Sequence, residues 1–228
     1  SWSRGAWLGA MVAAAVVVWT FPRRLWQGTL LVLSGGTVAF VMVSLGLLPA
    51  TLVDRLTGFT EDLTGAADVR GVIISPENYA VIERLAHWQS ALAMAEAHPW
   101  LGVGFGNYEV AYSEFALINW PQALGHAHNY YLNLLAETGI IGLLGYFAMW
   151  VAILQTNWGI LRAPNGVFSW SERGLAVGLL GSWTHLAVHS VLDKLYVNNV
   201  FLHLGVMLGL LAVLRLQQGR HVYPNQSS

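Results

Sequence analysis

Imidazole is the side chain whose ordinary pKa lies nearest neutrality. The chain places His126 and His128 two residues apart, followed by Asn129, nine residues, and then Gly139, Ile140, Ile141 and Gly142. A neutral imidazole takes up a proton near pH 7, so His128 could activate a hydroxyl nucleophile by general base catalysis. Spacing alone leaves a second reading open, an imidazole that simply bonds a neighbouring carbonyl. His126 competes for the same role, separated only by the Asn129–Gly142 register. His185, His189 and Asp193 recur at i, i+4 and i+8 and would share one helix face, either as zinc ligands or as the lining of a polar cavity. Glu109 and Glu114 have the residue types of a glycosidase pair, but nothing fixes their geometry and surface acids are the default. Gly102, Gly104 and Gly106 resemble a nucleotide-binding loop in composition; no strand precedes them, so a tight turn is the reading.

The elements that carry these groups follow from composition. Of 228 residues, 55% are hydrophobic and only 10% charged, against about 25% charged in an ordinary soluble domain. Residues 5–22, 25–53, 138–161, 174–192 and 195–214 contain no charge at all. Each is close to the roughly 20 residues with which a helix crosses about 30 Å of hydrocarbon. The fold class expected is therefore all-α, a polytopic bundle with five spanning helices. Eleven tryptophans suit its many boundaries with water. The absence of cysteine excludes disulfides and thiolate chemistry. A net charge of −1 without a basic run argues against nucleic acid as a partner. The chain opens on Ser1 and reaches an apolar run within five residues, with no basic region before it, so the expectation is a fragment that lacks earlier helices and a signal peptide.

Arg23, Arg24, Arg162, Arg173, Arg215 and Arg220 fall on one side of this arrangement with a single acid, Glu172. That side is expected to be cytoplasmic, and Arg4, the 49–137 segment and the Asp193–Asn199 link to face outward. The organisation expected is two spanning helices in 1–48, an outward loop region over 49–138, three spanning helices in 139–216 and a tail over 217–228. Within the loop, Asp54 to Arg70 reads as irregular. Ser75 and Pro76 read as the cap and first residue of a helix over about 76–97, which His98-Pro99 ends. The uncharged 115–136 stretch holds Pro121, two histidines and three asparagines, and reads as a surface segment leading to a helix that starts near Glu137.

Three segments together resemble the O-antigen ligase family. They are Ser3-Arg4-Gly5-Ala6-Trp7-Leu8; Arg84 with Trp88 and then His98-Pro99-Trp100-Leu101-Gly102-Val103-Gly104-Phe105-Gly106; and His126-Ala127-His128-Asn129 followed by Gly139 and Gly142. The similarity runs from residue 1 to about 216, and the architecture it implies is that of the membrane glycosyltransferases called GT-C-like. The resemblance implies transfer of a glycan from undecaprenyl diphosphate to a glycan, lipid or protein acceptor hydroxyl, with inversion and without a metal or other cofactor. It also implies a site in the bacterial inner membrane that faces the periplasm.

By the same resemblance, His128 is the base, and Arg4 and Arg84 grip the diphosphate. A guanidinium stays charged and offers a planar fork to phosphate oxygens. Trp88, four residues after Arg84, could stack on it or on the head group. His126, Asn129, Gly104 and Gly106 complete the expected substrate-binding set. The structural alternatives are an interfacial anchor for Arg4 and a solvated helix face, or a pair with Glu83 or Glu77, for Arg84. Rival functions are a polymerase of the same family, a flippase or transporter of the lipid-linked glycan, and a lipid-diphosphate phosphatase. The lack of an internal repeat argues against a transporter.

Overall fold

The computed structural model describes residues 4–49, 53, 68–76, 78–196 and 199–222, apart from the side chains of Arg4, His221 and Val222. The described residues form helices α1 (Arg4–Thr20), α2 (Leu25–Ser44), α3 (Tyr79–Ala97), α4 (Tyr108–Phe115), α5 (Tyr130–Leu161), α6 (Trp170–His189) and α7 (Val200–Val222), with no strand among them. Most of the expected irregular loop before Arg70, and Glu77, lie outside the described residues.

The protein is a polytopic helical membrane protein. α2, α5 and α7 through Arg220 are long and apolar enough to cross a bilayer. α2 leaves Leu30, Leu31, Leu33 and Phe40 exposed, as acyl chains rather than water would allow. The other two expected spans differ in character. α1 is apolar but short, at 17 residues. α6 carries Glu172, Arg173, His185 and His189 and lacks the hydropathy of a lipid-facing helix. It packs along α1 and against α5 and α7, so protein rather than lipid surrounds much of it. Trp183, Leu179 and Leu180 of α6 join Trp150 and Ile160 of α5 and Leu211 and Leu214 of α7 in the largest apolar core. Asn157 reaches across to the carbonyl of Ala176, and Gln218 to that of Gly159, which ties α5 to α6 and α7 to α5.

Several boundaries differ from expectation. α3 begins at Tyr79, not at Pro76: Asn78 Oδ1 accepts from Ser75 N–H and its amide donates to Ile73, so this side chain orders a turn in front of the helix. α5 begins at Tyr130, well before Glu137, because Asn129 caps it by accepting from the N–H groups of Tyr131 and Leu132. α7 continues to Val222, past the boundary expected at 216.

α5 is interrupted at Gly139, whose φ of 62° and ψ of −166° are open in practice to glycine alone. The loop after α3 fills the break. Val103 and Gly104 donate to the carbonyls of Ala136 and Glu137, and Ile140 donates back to Pro99. A Cβ on Gly139 would lie 2.3 Å from the carbonyl carbon of Trp100. The missing side chain of Gly139 is what admits this loop. Gly142 faces Thr138 of its own helix.

Candidate active site

α1, α5 and α6 meet at two ends. At one, Gly5 approaches His189, Tyr130 N–H donates to Ser190 O at 2.8 Å, and Tyr131 hydroxyl donates to Ala187 O at 2.9 Å. At the other, Arg173 binds the ends of α1 and α5. The start of α1, the His126–Asn129 segment and Asp193 gather at the first end, and Arg23, Arg162 and Arg173 at the second.

His128 sits between α4 and α5 in the left-handed region, with φ 52°, an uncommon state for a residue with a side chain. The backbone around it is fixed from both sides. Its N–H donates to His126 Nδ1 at 3.1 Å, Ala127 N–H donates to Asn133 Oδ1 at 3.1 Å, and Asn129 is spent on the α5 cap. The His126 and His128 rings meet edge to face, centroids 4.4 Å apart. Because His126 Nδ1 accepts, its neutral ring carries the proton on Nε2. His128 Nε2 is buried and has no hydrogen-bond partner.

Beneath His128 lies His87 of α3, 1% exposed, with ring centroids 5.7 Å apart. His87 stacks on Tyr112 at 4.7 Å, its Nδ1 is 3.1 Å from the Tyr108 hydroxyl, and that hydroxyl donates to the His87 carbonyl. Tyr108 N–H in turn donates to the buried Glu137 carboxylate, and Tyr112 hydroxyl to Trp120 O. Burial, then the charges of His126, His87 and Arg84, push the His128 imidazole down to about 4, while Asp193 acts in the opposite direction. Burial and then His126 push His87 down to about 4 as well. Burial also lowers His126. All three rings are held neutral at pH 7.

Arg84, one turn before His87 on the half-buried side of α3, is close enough for its charge to act on His128. Trp88 packs against the apolar cluster that holds Ile82, Leu85 and Trp120, and its Nε1 is buried without a hydrogen-bond partner. Arg4 opens α1; its side chain lies outside the described residues, but the adjoining Gly5 packs against His189 and Leu192. The start of α1 is thus at the same end of the bundle as His128. Gly104 and Gly106 belong to the loop docked on α5. The Gly104 N–H is taken by Glu137 O, whereas Gly106 is exposed and open.

Asp193 does not continue the face of His185 and His189, because α6 ends at His189. It turns to the imidazole pair instead: ligand atoms of His126, His128 and Asp193 all lie within 4.8 Å of one another. Such a triad could hold a divalent cation, or the carboxylate could stabilise imidazolium formed on either ring. His185 and His189 pack edge to face at 5.4 Å.

Sequence reasoning missed His87, Tyr108, Tyr112 and Glu137. The signal for His87 was present: Arg84, His87, Ala91 and Met94 follow helical spacing along one side of α3.

A family model described as O-antigen ligase matches residues 1–147. The chain is also similar to an O-antigen ligase of Pseudomonas aeruginosa, 30% identical over 164 residues, which cover 67% of this chain and 38% of that protein. It therefore spans less than half of that relative's length.

Proposed function

Because the chain belongs to the O-antigen ligase family, we propose that it forms the acceptor-activating and diphosphate-binding part of a membrane glycosyltransferase that uses a glycan on undecaprenyl diphosphate. The observation that carries this reading is the buried, unpartnered Nε2 of a neutral His128 within electrostatic reach of Arg84. The acceptor hydroxyl gives its proton to His128 Nε2 while its oxygen bonds to the anomeric carbon. The bond from that carbon to the diphosphate oxygen breaks on the opposite face, so configuration inverts. The electron pair leaves with the diphosphate, whose growing charge the Arg84 and Arg4 guanidiniums stabilise. Asp193 supplies the counter-charge for the imidazolium that results. The reaction takes place at the outer leaflet of the inner membrane, with the 49–138 segment in the periplasm.

A base of pKa about 4 is weak for a free hydroxyl. Bound diphosphate changes this, because its negative charge cancels that of Arg84 and raises His128 where proton transfer occurs. Donor binding thereby prepares the base.

The test uses full-length protein, purified undecaprenyl-diphosphate glycan and an acceptor, with glycoconjugate as the readout. His128→Ala should lower transfer by about 10²–10⁴-fold with the protein still folded. Arg84→Lys keeps the charge but loses the fork, and should cost about 10–100-fold. Transfer at the wild-type rate by His128→Ala would remove the assignment. Elongation of the donor glycan itself, in place of transfer to a separate acceptor, would identify a polymerase.

A further inference from the structure

At the end of the bundle away from His128, Arg23, Arg162 and Arg173 line one cavity of about 270 Å³ with Asn165, and no carboxylate is among its lining residues. The nearest acid in sequence, Glu172, is turned to the Ser169 N–H and hydroxyl in the cap of α6. Arg173 spends its donors on backbone carbonyls and contributes charge alone. Arg23 donates to Asn165, and both Arg23 and Arg162 are exposed. Three guanidiniums facing one cavity without an acid repel one another, and an anion there would relieve that repulsion.

The anion's chemistry is set by what adjoins the cavity. Between α1 and α2 runs an apolar groove of about 320 Å³, lined by Val12, Ala15, Val16, Trp19, Val32 and Leu33. Trp19 stacks on Trp158, ring centroids 5.8 Å apart, and Trp158 lines a narrow cleft together with Arg23, Arg162 and Arg173. A basic head-group site thus adjoins an apolar groove of chain-like character. We propose that this end of the bundle binds an anionic phospholipid, with its phosphate at Arg23, Arg162 and Arg173 and an acyl chain between α1 and α2. Basic pockets between spanning helices take such head groups. The site is separate from the transfer centre and stands whether or not the catalytic reading does.

The full-length protein, reconstituted in nanodiscs with equal phosphatidylglycerol and phosphatidylethanolamine, is extracted, and its retained lipid is measured by mass spectrometry. Phosphatidylglycerol should be enriched. Arg23→Gln and Arg162→Gln should each reduce the enrichment by about fivefold, because a basic group near a charged lipid contributes about that factor. Both residues are exposed, so the variants should fold, which an unchanged melting temperature checks. Ala15→Trp, which fills the groove, should also release the lipid. Equal retention of the two lipids, or enrichment untouched by both arginine variants, would overturn the proposal. So would binding of inorganic phosphate that depends on the arginines while no lipid is retained, which would mark a free-anion site.

Discussion

The imidazole of His87 lies beneath that of His128, edge to face, with ring centroids 5.7 Å apart. A proton on His87 would place a like charge against His128, and His87 is buried while His128 is half-buried with its Nε2 inaccessible. An imidazole ordinarily titrates near 6.5, whereas burial first, and neighbouring positive charge second, hold these two down to about 4. The acid limb of kcat/KM, which reports the free enzyme, should therefore lie well below 6.5. The limb of kcat should lie higher, since bound diphosphate offsets Arg84. A kcat/KM limb at 6.5 would mean that His128 is solvated and ordinary.

Stability carries the same signature. Between pH 6.5 and about 4 the unfolded chain binds protons at positions 87 and 128 that the folded chain refuses. Stability should be full above 6.5 and fall as pH drops through that window. Melting temperature in detergent measures it. His87→Phe keeps a ring against Tyr112 and loses the Tyr108 contact, so it should cost about 1–2 kcal/mol. It should also raise the acid limb of kcat/KM, because a like charge beside His128 is gone. A purely structural His87 would lower stability and leave that limb in place.

Gly139 gives a prediction about backbone rather than chemistry. A methyl there would meet the Trp100 backbone at 2.3 Å, and the φ and ψ are closed to alanine besides. Gly139→Ala should cost roughly 3 kcal/mol or more. Gly145→Ala, in the same helix with open space around it, is the control and should be neutral or slightly stabilising. Equal melting temperatures for the two variants would mean that the loop after α3 does not dock in the break.

The parts of this fold that sequence reveals are those set by short-range pattern. Charge-free runs marked the helices of the bundle, and His98-Pro99 marked the end of α3. The start of α5 is hidden in the sequence because the histidines and asparagines before Glu137, Asn133 among them, look too costly for hydrocarbon, so the helix is expected to begin only near Glu137. Asn133 and Glu137 are both buried and bonded to protein, Asn133 to Ala127 N–H and Glu137 to Tyr108 N–H, so the cost is met by partners elsewhere in the chain. The partner of the His126–His128 pair was hidden for the same reason. Asp193 was assigned by helical spacing to His185 and His189, and only the end of α6 at His189 frees it to turn elsewhere. Helix periodicity carries no information about where a helix stops in space.

Arg173 is a buried cation, 9% exposed, that holds the opposite end of the bundle together. Its Nη1 donates to Leu161 O at 2.9 Å, and its Nη2 to Thr20 O at 3.0 Å, with longer contacts to Phe21 and Pro22 carbonyls. These carbonyls belong to the last turns of α1 and α5 and the residues just beyond, where helices leave acceptors without internal partners and carry partial negative charge. One planar guanidinium reaches both helix ends at once; an ammonium has a single nitrogen and cannot. Arg173→Lys should therefore lower stability by about 1–3 kcal/mol, read as a lower melting temperature in detergent. Arg162→Lys, at an exposed site, should leave it unchanged. Catalytic constants of the surviving folded Arg173→Lys protein should match wild type, because this clamp lies at the far end of α5 from His128. A folded variant with normal stability but lost transfer would place Arg173 in the reaction and overturn the division of the bundle into a chemical end and a structural one.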